Sequence, residues 1–356
     1  MTKTSTVAGE YIGLDLSDKT ATYVALTADG EKVGAGKLKL SQAGLQRALG
    51  ARRPAQIAIE VGGHSPWVSR ALTDMGYEVT IANPRQVKLI SHGQKKNDFL
   101  DAENLARLLR YDRSMLRPIT HRGAAAQADL AVLRSRDAVV RARTRLISSA
   151  RNMVKAAGGR LPRCSAESFH YKACDHVPQL IKPAVEPLLE VIAGLTGQIN
   201  KMTRHLEELA DQRYPETKVL RQIRGVGPLT SLAFALTLEE PHRFTKSRSV
   251  GAFLGLVPRQ YDSGQSQPQL RITKAGDPLL RRLVVQSAQY ILGPFGEDCD
   301  LRRWGLELAG DGKNKIRRNK AVVAVARKLA VLMHRLWQTG EVYEPLHQAE
   351  LEPEAA

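Results

Sequence analysis

The sequence predicts an α/β N-terminal domain with a mixed sheet, followed by a long helical segment and a mostly α C-terminal domain. Three observations carry this. Up to Ala82, short apolar stretches are separated by turn residues, with strands first and helices interleaved later, the order that builds a mixed sheet. Between residues 124 and 209 the apolar period is helical throughout. Beyond Pro215 the chain shows helical patterns punctuated by Gly, Pro and capping residues.

The elements follow in order. Residues 11–16 and 20–26 are apolar stretches separated by Ser17-Asp18-Lys19, which reads as two strands joined by a turn. Residues 31–40 form a third strand, and Ser41 caps a helix running to Leu49. A strand at 56–61 leads through Gly62-Gly63 into a helix at 65–75, and 77–82 is a further strand. Pro84 opens a helix, and 98–111 is the next. The helix at 124–154 is rich in arginine: Arg134, Arg136, Arg141, Arg143, Arg145 and Arg151. Gly and Pro break the pattern between 158 and 183. Then Val185, Leu188, Ile192, Leu195, Ile199, Met202, Leu206 and Leu209 recur in steps of three and four. Such a seam suits a coiled coil between chains, and equally a hairpin packed on the helix at 124–154. Asp277-Pro278 caps a helix reaching Leu292. The helix at 319–337 follows the basic run Lys313, Lys315, Arg317, Arg318 and Lys320. The expected divisions are 8–118, 123–212, 213–345 and an acidic, disordered tail at 346–356.

Charge narrows the partner. Lys and Arg number 53 against 36 Asp and Glu in 356 residues, a net charge of +17. A field of that sign favours a polyanion, RNA or DNA, over a neutral ligand. A membrane partner is disfavoured, because no basic amphipathic helix stands at a terminus and no run of about 18 apolar residues occurs. Cys164, Cys174 and Cys299 lack CxxC spacing, which argues against a disulfide framework and a structural zinc. With no apolar leader at the N-terminus, a cytoplasmic location is expected.

Four carboxylates are candidates for chemistry. Asp15 and Glu60 end strands, and Asp98 and Asp101 share one face of a helix start. Gathered together they would repel, and Mg²⁺ would relieve that repulsion with oxygen coordination and substrate phosphate. Singly, Asp15 is a turn cap, Glu60 a surface acid and Asp98 a helix cap. Gly225 and Gly227 sit where backbone N–H groups can meet a phosphate, or where a helix simply stops. Arg134, Arg141 and Arg145 lie near one helix face, suited to RNA phosphates or to solvent.

Gly13-Leu14-Asp15-Leu16-Ser17, Glu60 with Gly63, and Lys96-Asn97-Asp98-Phe99-Leu100-Asp101-Ala102 together resemble the DEDD motif of the IS-one-ten family of insertion-sequence transposases. Asn97 replaces the family's usual Thr, and Val61-Gly62 its frequent Ala-Thr. Further on, Arg243-Phe244, residues 251–258, Tyr261-Asp262-Ser263-Gly264, Thr273-Lys274-Ala275-Gly276-Asp277 and Leu280-Arg281-Arg282 resemble the same family's C-terminal domain. The resemblance implies an RNase H-like, RuvC-like first domain holding Mg²⁺ on Asp15, Glu60, Asp98 and Asp101. It also implies that Ser263 is the nucleophile, where composition alone reads Asp262-Ser263-Gly264 as a turn.

The implied function is a transposase that cuts and rejoins donor and target DNA through a covalent serine–DNA link, guided by a bridge RNA and working as a dimer or tetramer. Arg259, Arg271, Lys274, Arg281 and Arg282 are the candidate phosphate contacts around the serine, joined by Arg134, Arg141, Arg145, Gly225 and Gly227 elsewhere. A RuvC-like Mg²⁺-dependent nuclease or resolvase, and a non-catalytic nucleic-acid scaffold, are the nearer alternatives. An actin-like ATPase or sugar kinase would suit Gly13-Leu14-Asp15 with Thr20, but it explains neither the charge nor residues 261–276.

Overall fold

The computed structural model describes residues 9–52, 54–83, 97–264, 266–268 and 270–347. The chain divides into two compact units between Arg122 and Gly123.

The first unit is a five-stranded mixed sheet in the order β3-β2-β1-β4-β5. Its strands are β1 (Glu10–Leu16), β2 (Thr20–Leu26), β3 (Lys32–Lys39), β4 (Ala55–Glu60) and β5 (Glu78–Ala82). β1 runs antiparallel to β2 and parallel to β4. The turn at Ser17-Asp18-Lys19 closes with the Ser17 N–H on the Thr20 carbonyl at 2.9 Å. Ser41 caps α1 (Gln42–Leu49), accepting the Gly44 N–H at 3.1 Å. α2 (Ser65–Asp74) joins α1 on one face of the sheet, where Ile12, Leu14, Ile57 and Ile59 bury against Leu45, Leu49, Val68 and Leu72. The opposite face takes α3 (Asp98–Tyr111). Small residues allow the close approach: a Cβ on Gly13 would stand 1.8 Å from the Ala102 carbonyl oxygen. The helix expected from Pro84 lies outside the described residues.

The second unit is helical. α4 (Ala124–Ala156) and α5 (Lys182–Arg213) pack on each other as a hairpin. The 185–209 seam is used inside this chain: Val185, Ile192, Ile199, Leu206 and Leu209 are buried, with Leu188, Leu195 and Met202 half-buried. The stripe is therefore not left facing water, which removes the reason for pairing it with a second chain. Polar groups occupy the middle of the hairpin, where Arg143 donates to Thr196 at 3.2 Å and Arg136 to Thr203 at 2.7 Å.

The remaining long helices are α6 (Pro228–Leu238), α7 (Pro278–Leu292), α8 (Asp300–Ala309) and α9 (Lys315–Thr339). α6 is buried all round and forms the centre of the unit. Leu130 of α4 and Leu206 of α5 share its core with Leu232, Val284 and Leu329. The segments expected as 123–212 and 213–345 thus share this core, while a second cluster around Val154, Phe169 and Val185 lies within the first of them. The expected acidic tail lies outside the described residues from 348 onward. No helix among the described residues is long and apolar enough to cross a membrane.

Candidate nucleic-acid site and catalytic residues

The acidic residues of the first unit gather by backbone register. Leu14 pairs with Ile59 across β1 and β4, so Asp15 and Glu60 follow as neighbours at adjacent strand ends. Both lie on the α3 face, two residues beyond Gly13 and Ala58 respectively. In the same cross-strand row, Asp15 pairs with Thr22 and Thr22 with Lys37. α3 runs opposite to β1: its C-terminal Arg110 donates to the Ala28 carbonyl beyond β2, so its N-terminal turn lies at the Asp15 end. Asn97 caps that turn, accepting the Phe99 N–H at 3.0 Å. An Asn in place of Thr preserves the cap, since both side chains supply the oxygen. Asp98 and Asp101 occupy the first turn, where the helix dipole favours negative charge.

The side chains do not complete the cluster expected of them. Among the described residues, no three His, Cys, Asp or Glu form a group able to hold a metal ion. Asp98 turns instead to Lys37, whose Nζ stands 3.3 Å from Oδ2. The physical reason is repulsion: carboxylates brought together need a positive charge, and Lys37 supplies one in the same row. The donor set, all hard oxygen, fits a divalent cation in type. Lys37 drew no attention in the sequence; its place opposite Thr22 and Asp15 exists only once the strands are in register.

In the second unit the described residues between 255 and 274 form a tongue held by isolated antiparallel bridges, Pro258 with Ile272 and Ser263 with Ser266. Arg259 N–H donates to the Arg271 carbonyl at 3.0 Å and Thr273 N–H to Val257 at 2.9 Å. At the tip Ser263 and Ser266 exchange backbone hydrogen bonds of 3.1 and 2.9 Å, with Gly264 at φ +55°. Glycine takes that conformation most readily. The base is clamped tightly: a Cβ on Gly276 would stand 2.0 Å from the Phe253 carbonyl oxygen. The turn read from composition is therefore real, and it presents Ser263 exposed. Among the described residues no side chain hydrogen-bonds the Ser263 hydroxyl.

The expected phosphate contacts separate into two groups. Arg134 pairs with Asp277 at 2.9 Å, Arg141 with Asp137 at 3.0 Å, and Arg282 also with Asp137. Asp277 in turn caps α7, accepting Leu279 and Leu280 N–H at 2.9 Å. Burial alone would raise its carboxyl, but those N–H groups and Arg134 hold it below the usual range. Arg281 donates to the Leu254 and Gly276 carbonyls at 3.0 and 3.1 Å and so fastens the tongue base. These four arginines are engaged by the protein. Arg145, Arg259, Arg271 and Lys274 are exposed and form no ion pair among the described residues. Gly225, at φ +92°, packs on α7 with Tyr290 and Ile291 within 3.1 Å of where a Cβ would lie, which gives it a packing role. Gly227 is the exposed residue preceding α6.

The chain thus carries a basic helical unit with an exposed serine tongue and a sheet with acidic strand ends. A DEDD transposase model of IS110 type matches residues 12–157, and the model described as "Transposase IS116/IS110/IS902 family" matches residues 217–295. The chain is 30% identical over 255 residues to the transposase for insertion sequence element IS1328 of Yersinia enterocolitica, covering 70% of this chain and 75% of that protein. It is 28% identical to the transposase for IS1111A of Coxiella burnetii, over 79% of this chain and 77% of that one. A probable family 20 transposase of Pseudomonas aeruginosa is 27% identical, over 82% and 86%. The chain belongs to the IS110 family of transposases. It therefore acts on DNA, and the family's DEDD domain suggests a divalent metal.

Proposed function

We propose that this transposase cuts and rejoins DNA through a covalent link to Ser263. The Oγ–phosphorus bond forms as the bond from phosphorus to one bridging DNA oxygen breaks. The hydroxyl proton leaves Oγ, and a proton ends on the departing DNA oxygen. Attack by the hydroxyl of a new strand end reverses the exchange and frees the serine. The observation that carries this reading is the exposure of Ser263 at the tip of a clamped tongue. Arg259, Arg271 and Lys274 on the same tongue have their charge available for the phosphate in the transition state.

Asp15, Glu60, Asp98 and Asp101, on an RNase H-like, RuvC-like sheet, would hold Mg²⁺, which when bound neutralises phosphate oxygens. Its chemistry requires Asp98 to leave Lys37. A bridge RNA guiding the choice of donor and target DNA belongs to the same reading, as does assembly into a dimer or tetramer.

The test is denaturing electrophoresis of the protein with labelled element-end DNA. Wild type is expected to carry DNA through a phosphoserine. Ser263→Ala should lose both adduct and cleavage, while DNA affinity stays within about twofold, because one hydroxyl adds little to a phosphate interface. Ser266→Ala should keep the adduct. Cleavage by wild type without any adduct would assign the cutting to the carboxylates alone.

A further inference from the structure

The tongue is one wall of a large groove of the second unit, a depression of about 1420 Å³. The opposite wall is α9, with α8 contributing to the floor. That volume exceeds the roughly 300–1,000 Å³ of small-molecule pockets. Its floor is apolar, with Leu256, Ile272, Val323 and Leu332, and Trp304 lies beneath the Lys328 ammonium, 3.7 Å from the ring centroid. Seven Lys or Arg and two carboxylates are among the described residues lining it.

The state of those cations is the informative point. Elsewhere in the unit, several arginines are matched by carboxylates: Arg134 by Asp277, Arg213 by Asp129, Arg221 by Asp211, and Arg303 by Asp298. In the groove, Arg248, Arg271, Lys274, Arg327 and Lys328 form no ion pair among the described residues. Five unmatched positive charges along one apolar trough repel one another, an arrangement that a bound polyanion relieves.

We infer that this groove is a DNA track: the phosphates of one strand run along Arg327, Lys328 and Arg248 and pass to Arg271 and Lys274 on the tongue. The inference rests on reading the tongue as the DNA-cutting loop, which selects DNA over other polyanions. It adds α9 and Arg248 to the substrate-binding surface, and gives the groove the task of delivering a strand to Ser263. Pro258, at the groove, is five residues from Ser263, a reach of at most about 17 Å along an extended strand. A phosphate held at the tongue base is thus within about five nucleotides of the serine, at about 3.4 Å per nucleotide along one strand.

The experiment measures equilibrium binding of the full-length protein to labelled element-end duplex DNA at several salt concentrations, in a Ser263→Ala background so that no chemistry intervenes. Arg327→Gln combined with Lys328→Gln is expected to weaken binding by about tenfold or more at low salt and to lower the salt slope by about 1 to 2, as loss of one or two phosphate contacts requires. Exposed Lys201→Gln, on α5, serves as the control outside the groove. A photo-crosslinker at Ile316, exposed on the groove wall, should trap DNA in a protein whose cations are intact, which keeps the test valid if the double variant misfolds. Unchanged affinity and slope in a folded double variant, no crosslink, or a crosslink competed equally by polyglutamate or by RNA would overturn the inference. Because these readouts need no cleavage, they stand apart from the adduct test: an adduct without groove binding removes the track alone, and groove binding without an adduct removes the nucleophile alone.

Discussion

At the scale of single residues, the informative pair is Lys37 and Asp98. Exposed ion pairs contribute little to stability, about 0–1 kcal/mol, so 3.3 Å between Nζ and Oδ2 is weak evidence for a fold-stabilising role. The same ammonium does compete with any cation the carboxylates would hold. Lys37→Gln should therefore leave the unfolding midpoint nearly unchanged. It should tighten Mn²⁺ binding, read by the loss of the free-ion paramagnetic signal, by several-fold and up to about tenfold, or ~1.4 kcal/mol. Asp98→Asn should weaken it. If neither substitution moves the Mn²⁺ isotherm, the acidic strand ends do not form an ion site. The positions of Asp15, Glu60, Asp98 and Asp101 were readable from strand-end and helix-start patterns. The lysine that opposes them was not, because it lies on β3 and reaches them only across two antiparallel ladders.

At the scale of elements, the α4–α5 hairpin decides what the heptad seam is for. Ile199 is 2% exposed and lies on the stripe that faces α4. Ile199→Ala should cost about 2–4 kcal/mol of unfolding free energy, measured by denaturant titration. The loss should be independent of protein concentration, as befits an internal contact. A loss that disappears on dilution would return the seam to an interface between chains. The periodicity of α5 was plain in the sequence, yet a 3-4 stripe has the same form whether its partner is the next helix or another molecule. The arginines of α4 share this ambiguity. Arg141 has Asp137 four residues before it on the same helix, a pair that spacing alone shows, whereas Arg134 and Arg145 look alike in sequence and only the approach of Asp277 distinguishes them.

At the scale of the whole molecule, a buried and a half-buried histidine tie the units to pH. In the second unit His334 is fully buried, its Nε2–H donating to the Pro241 carbonyl at 2.8 Å, with Nδ1 3.0 Å from Ser247 Oγ. Burial, aided by His242, holds its imidazole below the ordinary value despite that carbonyl. In the first unit His121, 2.9 Å from Ser65 Oγ, is lowered by burial and then by Arg70 and Arg122. A lowered histidine stays neutral when folded and takes a proton when unfolded. Its contribution is therefore complete above about pH 6.5 and is lost as the pH falls from there toward the lowered folded value. Thermal unfolding should thus show a midpoint that is flat from pH 8 to 7 and falls below about 6.5, with His334 adding at most ~1.4 kcal/mol per pH unit. A midpoint that holds steady or rises from pH 7 to 5 would contradict this sign.

The sequence by itself determined the mixed sheet, the helices and their caps, the basic charge and, through ordered motifs, the family. All of these depend on local periodicity, composition or residue order, which survive without coordinates. The tertiary structure decided which charges are matched, that the seam closes on its own chain, that Ser263 stands exposed on a tongue, and that the cations of α9 and the tongue line one groove. Those outcomes depend on residues tens to hundreds of positions apart meeting in space, and whether a charge is neutralised is a property of that meeting rather than of the residue.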